Sequence, residues 1–271
     1  MRTRWVVPAA VVVVAALLLV GVIVALNTVD VTARARCTVT APPDSPGLPS
    51  SHSTTPEQMD NAATIVGVGR RLGVPDRAVT IALATAVQES GLANIDYGDR
   101  DSVGLFQQRP SQGWGTAARI QDPVYATTAF YEALLQVPGW QQLDVTQAAQ
   151  RVQRSGFPEA YADHEPEARL MAVALLGQAP GALTCTDLDV AAPARDTVAD
   201  LATQELGSAR LSGPQRPQAG WALATWLVAH AQRLAVDRVT FDGRTWTAAS
   251  GTWTQDGPAD GRLALHRVGD P

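Results

Sequence analysis

The chain has 271 residues, a net charge of −5 and two cysteines. Its length allows two modest domains, and its acidic balance excludes the basic surface that a non-specific nucleic-acid binder normally carries. All 21 basic residues are arginine, and alanine and valine are abundant, which suggests a GC-rich genome. We therefore expect no nucleic acid among the partners of this protein.

The chain begins with an apolar segment, residues 5–26, that carries no charge. About 20 apolar residues span a bilayer core, whereas the apolar core of a signal peptide has ~7–15 residues. The segment therefore predicts a transmembrane helix that anchors the protein in the cell membrane. Arg2 and Arg4 precede it, which favours a single-pass protein with its N-terminus inside and its bulk extracytoplasmic. The alternative is a signal peptide cleaved near residues 33–35, which would give a secreted protein.

The rest of the chain predicts two folded regions joined by linkers. Residues 41–54 are rich in Pro and Ser and contain too few apolar residues to fold, so we expect a linker that holds the folded part off the membrane. The predicted segments are a cytoplasmic tip and transmembrane anchor (1–27), an extracytoplasmic linker (28–54), a helical domain (55–185), a second linker (186–195) and a small α+β domain of unknown role (196–271).

The helical domain opens with a capping box. Thr55 can cap the first helix, Gln58 completes the box, and Gly73 ends the helix. A second helix starts at Asp76 and carries Glu89. Residues 94–115 contain too many Gly, Asp and Pro for a helix, so we expect a hairpin or loop layer there. Three further helices are predicted at about 122–137, 145–155 and 165–176.

Glu89 is the first candidate for chemistry. It closes an apolar helical run that Ser90 and Gly91 end. Desolvation at such a position raises the pKa of a carboxyl group, and a raised pKa suits a general acid that works near neutral pH. The alternative is a solvated glutamate at a helix end.

The residues around Glu89 resemble a known signature. Residues 89–91 (ESG) and 104–107 (GLFQ) resemble the E-S-G … G-L-M-Q signature of lytic transglycosylases and goose-type lysozymes. Residues 97–100 (YGDR) are similar to the W-G-D-R element of goose-type lysozymes. The resemblance covers about residues 55–185. It implies a mainly α, lysozyme-like domain, of the kind found in actinobacterial membrane-anchored cell-wall proteins.

The resemblance implies cleavage of the β-1,4 bond between N-acetylmuramic acid and N-acetylglucosamine in peptidoglycan, with Glu89 as general acid and base and without a cofactor. In a lytic transglycosylase the 6-hydroxyl of the muramic acid attacks, and no second carboxylate is required. In an inverting hydrolase a second carboxylate positions water ~6.5–9.5 Å from the acid. Asp99 is the candidate for that role because it falls on the aspartate of G-D-R, and Asp96 and Asp101 are alternatives.

The resemblance and the neighbouring sequence also predict a set of substrate-binding residues: Ser90, Gly104, Leu105, Phe106, Gln107, Trp114, Gln153 and Tyr161. Many lytic transglycosylases carry a late A-Y-N-A-G motif whose Tyr lies by the catalytic Glu, and residues 149–155 lack it. Gln153 can substitute as a polar wall, and Tyr161 lies further on. Ser90 either orients Glu89 or caps the helix. Trp114 either stacks on a sugar or fills the core.

The two cysteines, Cys37 and Cys185, predict one disulfide in an oxidising compartment, and the alternative is two free thiols. The four histidines are scattered, so no metal site is predicted. In the last region we expect helices at 197–206 and 218–234, followed by short strands. Its four tryptophans either lie in the core or form a sugar-stacking surface: Trp221, Trp226, Trp246 and Trp253.

Two functional hypotheses remain. The first is a membrane-anchored enzyme that cleaves peptidoglycan glycan strands, with cell-wall or conjugation machinery as further partners. The second is a non-catalytic cell-wall-binding or scaffold protein that keeps a lysozyme-like fold. Retention of Glu89 within its motif favours the enzyme.

Overall fold

The computed structural model describes residues 35–191, 194–207 and 210–270, which contain nine α-helices and two antiparallel sheets. The helices are α1 (Pro56–Leu72), α2 (Asp76–Ser90), α3 (Ala117–Ile120), α4 (Pro123–Leu135), α5 (Val145–Gln153), α6 (Glu165–Leu175), α7 (Val198–Leu206), α8 (Pro217–Ala229) and α9 (Ala231–Leu234). The strands are β1 (Arg36–Thr40), β2 (Ser51–Thr54), β3 (Leu183–Thr186), β4 (Gly213–Pro214), β5 (Val236–Phe241), β6 (Arg244–Thr247), β7 (Trp253–Gln255) and β8 (Arg262–Arg267). Two short 3-10 helices lie at Pro110–Gln112 and Ala160–His164.

The first helix confirms the capping pattern read from the sequence. The Thr55 hydroxyl accepts a hydrogen bond from the Gln58 backbone N–H at 3.2 Å, and the Gln58 side chain accepts one from the Thr55 N–H at 2.8 Å. Helix α1 also supports the end of α2. The Gln58 amide donates to the Gly91 carbonyl, and the Asn61 amide donates to the Leu92 carbonyl, each at 2.8 Å. These bonds fix the turn that carries Glu89.

The predicted helices at α2, α4, α5 and α6 are confirmed, with bounds that differ by a few residues at most ends. Helix α2 packs against α4, α5 and α6, so it lies at the centre of this part of the fold. The segment between α2 and α3 is a loop layer with one β-bridge, between Val103 and Gln108. Leu105 and Phe106 insert from this layer into the core, and both are fully buried.

The first sheet corrects the predicted linker. Residues 36–40 and 51–54 form paired strands rather than an unfolded linker. The strand order of this sheet is β2-β1-β3. Cys37 and Val39 alternate with exposed residues along β1 and are fully buried, which is the period of a half-buried strand. Cys37 lies opposite Cys185 of β3, and the two form the predicted disulfide.

The predicted fold class is wrong, because the chain does not form a mainly α domain followed by a separate small α+β domain. The described residues from Ala35 onward form one compact unit with two sheets. The physical reason is α8, whose residues 220–229 are all buried. A helix that is apolar all round is covered on all sides. Helix α8 packs on β5 and β8 of the second sheet and also on α1, α6 and β3.

The second sheet has the strand order β4-β8-β5-β6-β7. It answers the question that the tryptophans left open. Trp221, Trp226 and Trp246 are buried, and Trp253 is half-buried with its indole N–H donating to the Leu183 carbonyl at 2.9 Å. Trp221 meets Trp253 edge to face at 5.2 Å. These rings therefore belong to the core and do not form a sugar-stacking surface.

The predicted membrane location also requires correction. No helix in the described ranges 35–191, 194–207 and 210–270 is long and apolar enough to cross a bilayer. The apolar segment that carried the prediction, residues 5–26, lies outside the described residues.

Candidate functional site

Glu89 lies on the last turn of α2, and its position follows from the local sequence. The helix ends at Gly91, which adopts a left-handed conformation with φ of 61° and closes the last turn onto Ala86 and Val87. Only a residue without a β-carbon adopts this conformation without cost. The helix therefore stops one turn after its buried run, and the Glu89 side chain projects from the edge of the core, where it is half-buried.

Two side chains contact the Glu89 carboxylate. The Tyr161 hydroxyl donates to Glu89 Oε1 at 2.6 Å, and Tyr161 itself is fully buried. The Gln153 amide lies close enough to the carboxylate to oppose the rise in its pKa. The Gln153 side chain donates to the Phe106 carbonyl at 2.7 Å, so it ties the end of α5 to the loop layer. The structure thus brings together three residues that the sequence predicted for the site from three separate segments.

Burial raises the pKa of Glu89, and the hydrogen bonds from Tyr161 and Gln153 oppose this effect without cancelling it. Burial and the neighbouring carboxylate raise the pKa of Tyr161. Tyr161 therefore keeps its proton and remains a hydrogen-bond donor. A carboxyl group with a raised pKa, held by the buried Tyr161 hydroxyl, has the properties of a general acid that becomes a general base after it loses its proton.

Ser90 fixes the loop layer to the end of α2. Its hydroxyl lies 3.1 Å from the Ala86 carbonyl and 2.8 Å from the Leu105 carbonyl, and it can donate to either. Phe106 is fully buried and stacks on Phe130 with ring centroids 4.6 Å apart. Ser90 therefore fixes the loop layer next to Glu89, and the side chains of Leu105 and Phe106 pack in the core.

Gly104 is the position in the loop layer where a glycine is required. Its φ is 79°, and a β-carbon there would lie 2.7 Å from the Ile120 carbonyl oxygen. Gln107 also has a positive φ, of 46°. Its amide donates to the carbonyls of Tyr97 and Gly104 at 3.2 and 3.3 Å. Gln107 therefore closes the turn that carries residues 97–100.

The predicted second carboxylates lie in different surroundings from Glu89. Asp99 is exposed and lies 3.9 Å from Arg100. Asp101 accepts hydrogen bonds from Arg109 and from Ser111, which hold its pKa well below the usual range. Among the described residues, no hydrogen bond joins Glu89 to Asp99 or Asp101.

An open cleft of about 710 Å³ leads away from Gln153. Trp114 lines it, half-buried, and the Trp114 carbonyl accepts a hydrogen bond from the Tyr125 hydroxyl at 3.1 Å. Arg151 and Arg154 also line the cleft, and the sequence analysis did not single them out. The signal that could have found them is their spacing around Gln153 at the end of a helix.

Among the described residues, no group of three or more His, Cys, Asp or Glu side chains is placed to hold a metal ion. Comparison of the chain with the models of known protein families and with curated proteins gives no match.

Proposed function

We propose that this protein is a peptidoglycan-cleaving glycosidase that acts on the β-1,4 bond between N-acetylmuramic acid and N-acetylglucosamine. The observation that carries the proposal is the Glu89 carboxyl group, which is half-buried, has a raised pKa and accepts a hydrogen bond from Tyr161. Gln153, which also affects the pKa of Glu89, lines the open cleft that contains Trp114. The resemblance of residues 89–91 and 104–107 to lytic transglycosylases and goose-type lysozymes supports the same activity. The disulfide is typical of proteins in oxidising compartments.

In the proposed reaction, protonated Glu89 gives its proton to the glycosidic oxygen as the bond to the muramic acid breaks. Positive charge then develops on the sugar ring, and the carboxylate of Glu89 lies close to it. The carboxylate next takes the proton of the attacking hydroxyl group, which returns Glu89 to its starting state. The Tyr161 hydroxyl holds the carboxylate in one orientation through both steps.

The carboxylates around the site favour an intramolecular attack over hydrolysis. An inverting hydrolase needs a second carboxylate that is free to position water. Asp101 is held by Arg109 and Ser111, and Asp99 is exposed next to Arg100. We therefore propose that the 6-hydroxyl of the muramic acid attacks the anomeric carbon, which gives a 1,6-anhydro product and needs Glu89 alone.

The test is to incubate the full-length protein and its Glu89→Gln variant with purified peptidoglycan and to weigh the released fragments by mass spectrometry. Glu132→Gln is the matched control, because Glu132 is exposed on α4. Anhydro ends made by the parent and the control, but not by Glu89→Gln, support a lytic transglycosylase. Reducing ends support a hydrolase and make Asp99→Asn the next variant. Sedimentation with peptidoglycan without cleavage would replace the enzyme with a wall-binding protein.

A further inference from the structure

One exposed aromatic side chain lies in the segment that joins Gln153 to Tyr161 and does not belong to the core. Phe157 is 74 % exposed, the highest value for a large apolar residue in the described part of the chain. Removing apolar surface from water is favourable by roughly 25 cal/mol per Å², so an exposed phenyl ring is a surface that a ligand can cover. Single exposed apolar residues are common, however, and position decides whether one has a role.

The position of Phe157 follows from the two residues that contact Glu89. Gln153 ends α5, and Tyr161 lies on the next 3-10 helix. The segment between them, residues 154–160, is therefore anchored by Tyr161 at the Glu89 carboxylate and by Gln153 at the Phe106 carbonyl. Phe157 lies in the middle of this segment, which we call the α5 turn, so it is a few residues from each contact.

The α5 turn is held in place by hydrogen bonds that do not involve the phenyl ring. The Gln150 amide donates to the Ser155 carbonyl at 2.9 Å, and the Ser155 hydroxyl accepts from the Phe157 N–H at 3.0 Å. The Thr146 hydroxyl donates to the Pro158 carbonyl at 2.6 Å. These hydrogen bonds therefore fix the backbone of the turn, and the phenyl ring is exposed to solvent.

Two exposed arginines lie beside this turn. Arg151 and Arg154 line the cleft that contains Trp114, and they also line a second cleft, of about 570 Å³, with Pro158 and Glu159. Arg154 ends α5 in a left-handed conformation with φ of 54°. The two guanidinium groups outnumber the one carboxylate of Glu159, so this surface favours an anionic ligand.

We propose that the α5 turn is a glycan-binding subsite, in which Phe157 stacks on the face of a sugar ring and Arg151 and Arg154 pair with carboxylates carried by the same strand. The subsite rests on the proposed function and extends it to the substrate, because muramic acid and its peptides carry carboxylates and an uncharged glycan does not. Phe157 is a binding residue, and the chemistry stays with Glu89.

Binding is measured in the full-length protein with the Glu89→Gln change, so that cleavage does not interfere. The two probes are soluble peptidoglycan strands and uncharged chito-oligosaccharides. Phe157→Ala weakens binding to both about tenfold, since a covered phenyl ring contributes at least that much, whereas Phe157→Trp retains it. The double variant Arg151→Gln, Arg154→Gln weakens binding to peptidoglycan strands alone, and added salt reduces this difference.

Leu135→Ala is the matched control, because Leu135 is an exposed apolar residue on α4 and its loss leaves binding unchanged. The proposal is overturned if Phe157→Ala binds both probes as the parent does, or if the parent binds neither. Cleavage assays on the same substitutions without the Glu89 change separate the two proposals. Loss of binding without any cleavage by the parent retains the subsite and rejects the glycosidase.

Discussion

Removing the Tyr161 hydroxyl should change the pH at which Glu89 works. In Tyr161→Phe, the Glu89 carboxylate loses the donor at 2.6 Å, while the buried ring remains. This hydrogen bond favours the charged form of Glu89, so its removal raises the pKa of Glu89 above the already raised value. A hydrogen bond to a charged group contributes ~1.5–3 kcal/mol. At 1.36 kcal/mol per unit, the pKa of Glu89 rises by about 1–2 units.

The assay is the pH dependence of fragment release from peptidoglycan. The proposed reaction requires protonated Glu89, so its rate falls as pH rises through the pKa of that group. In Tyr161→Phe this alkaline limb moves to higher pH by about 1–2 units, and the maximal rate falls because the carboxyl group is less well oriented. Isotope-labelled glutamate, assigned with the Glu89→Gln variant, gives the same pKa by NMR without relying on activity.

Tyr131→Phe is the matched control for this experiment. Tyr131 is also fully buried, and its hydroxyl donates to the Ile65 carbonyl at 3.1 Å, away from Glu89. Its loss lowers stability without moving the alkaline limb. An unchanged pKa of Glu89 in Tyr161→Phe would refute the assignment of Tyr161 as the residue that holds the Glu89 carboxyl group.

Three further changes test the charges and the disulfide. Glu89→Gln removes a desolvated carboxylate. Because the pKa of Glu89 is raised in the folded state, the folded parent binds more protons than the unfolded chain and loses stability as pH rises through that pKa. The melting temperature of the variant should therefore exceed that of the parent by more at pH 7 than at pH 4. His230→Gln lowers the free energy of unfolding by about 3–5 kcal/mol, because the buried carboxylate of Glu205 loses its cation at 3.0 Å. Replacing Cys37 and Cys185 by serine costs about 5 kcal/mol in the chain-entropy account, since the cysteines are 148 residues apart.

Denaturant titrations check the last two changes, and a thermal scan at both pH values checks the first. His230 lies between Asp60 and Glu205, and its pKa is raised to about 10 because attraction to these carboxylates outweighs burial. Its contribution to stability is therefore complete below about pH 6.5 and is lost as pH rises through about 10. An equally stable His230→Gln protein would contradict the charged cluster. A midpoint unaffected by reduction would contradict the disulfide prediction.

Local signals in the sequence predicted most of the helices. The capping box at Thr55, the stops at Gly73 and Gly91, and the start at Asp122 are short-range features, so the chain itself reports them. The position of Glu89 at the end of an apolar run was visible for the same reason. The buried loop layer with Leu105 and Phe106 also followed from its composition.

Long-range pairing was not visible in the sequence. Strand β1 is five residues long and lies beside a Pro-rich segment. Its alternation of buried and more exposed residues is too short to predict a strand in that context. It becomes a strand because β3 pairs with it from the far end of the helical region. Helix α8 was expected from the sequence. Nothing in the sequence indicated that it would pack on α1 and α6 as well as on the second sheet.

The candidate site shows the same limit. Tyr161 was one of several substrate-binding candidates. Its contact with Glu89 depends on a five-residue 3-10 helix, which is too short to give a periodic pattern in the sequence. Phe157 was missed because a single exposed side chain has no local signature, and Arg151 and Arg154 were missed although they lie on either side of Gln153 in the sequence. Asp99 was chosen from the motif alone, and the exposure of its carboxylate is a property of the folded turn.

The bond between Cys37 and Cys185 turns the part of the chain that contains Glu89, Gln153 and Tyr161 into a covalent ring. A protease that cuts the exposed α5 turn would open this ring without dividing the molecule. The two pieces would migrate as one band until a reducing agent is added. Damage at the turn that we assign to substrate binding would therefore leave the catalytic carboxyl group and the rest of the fold connected.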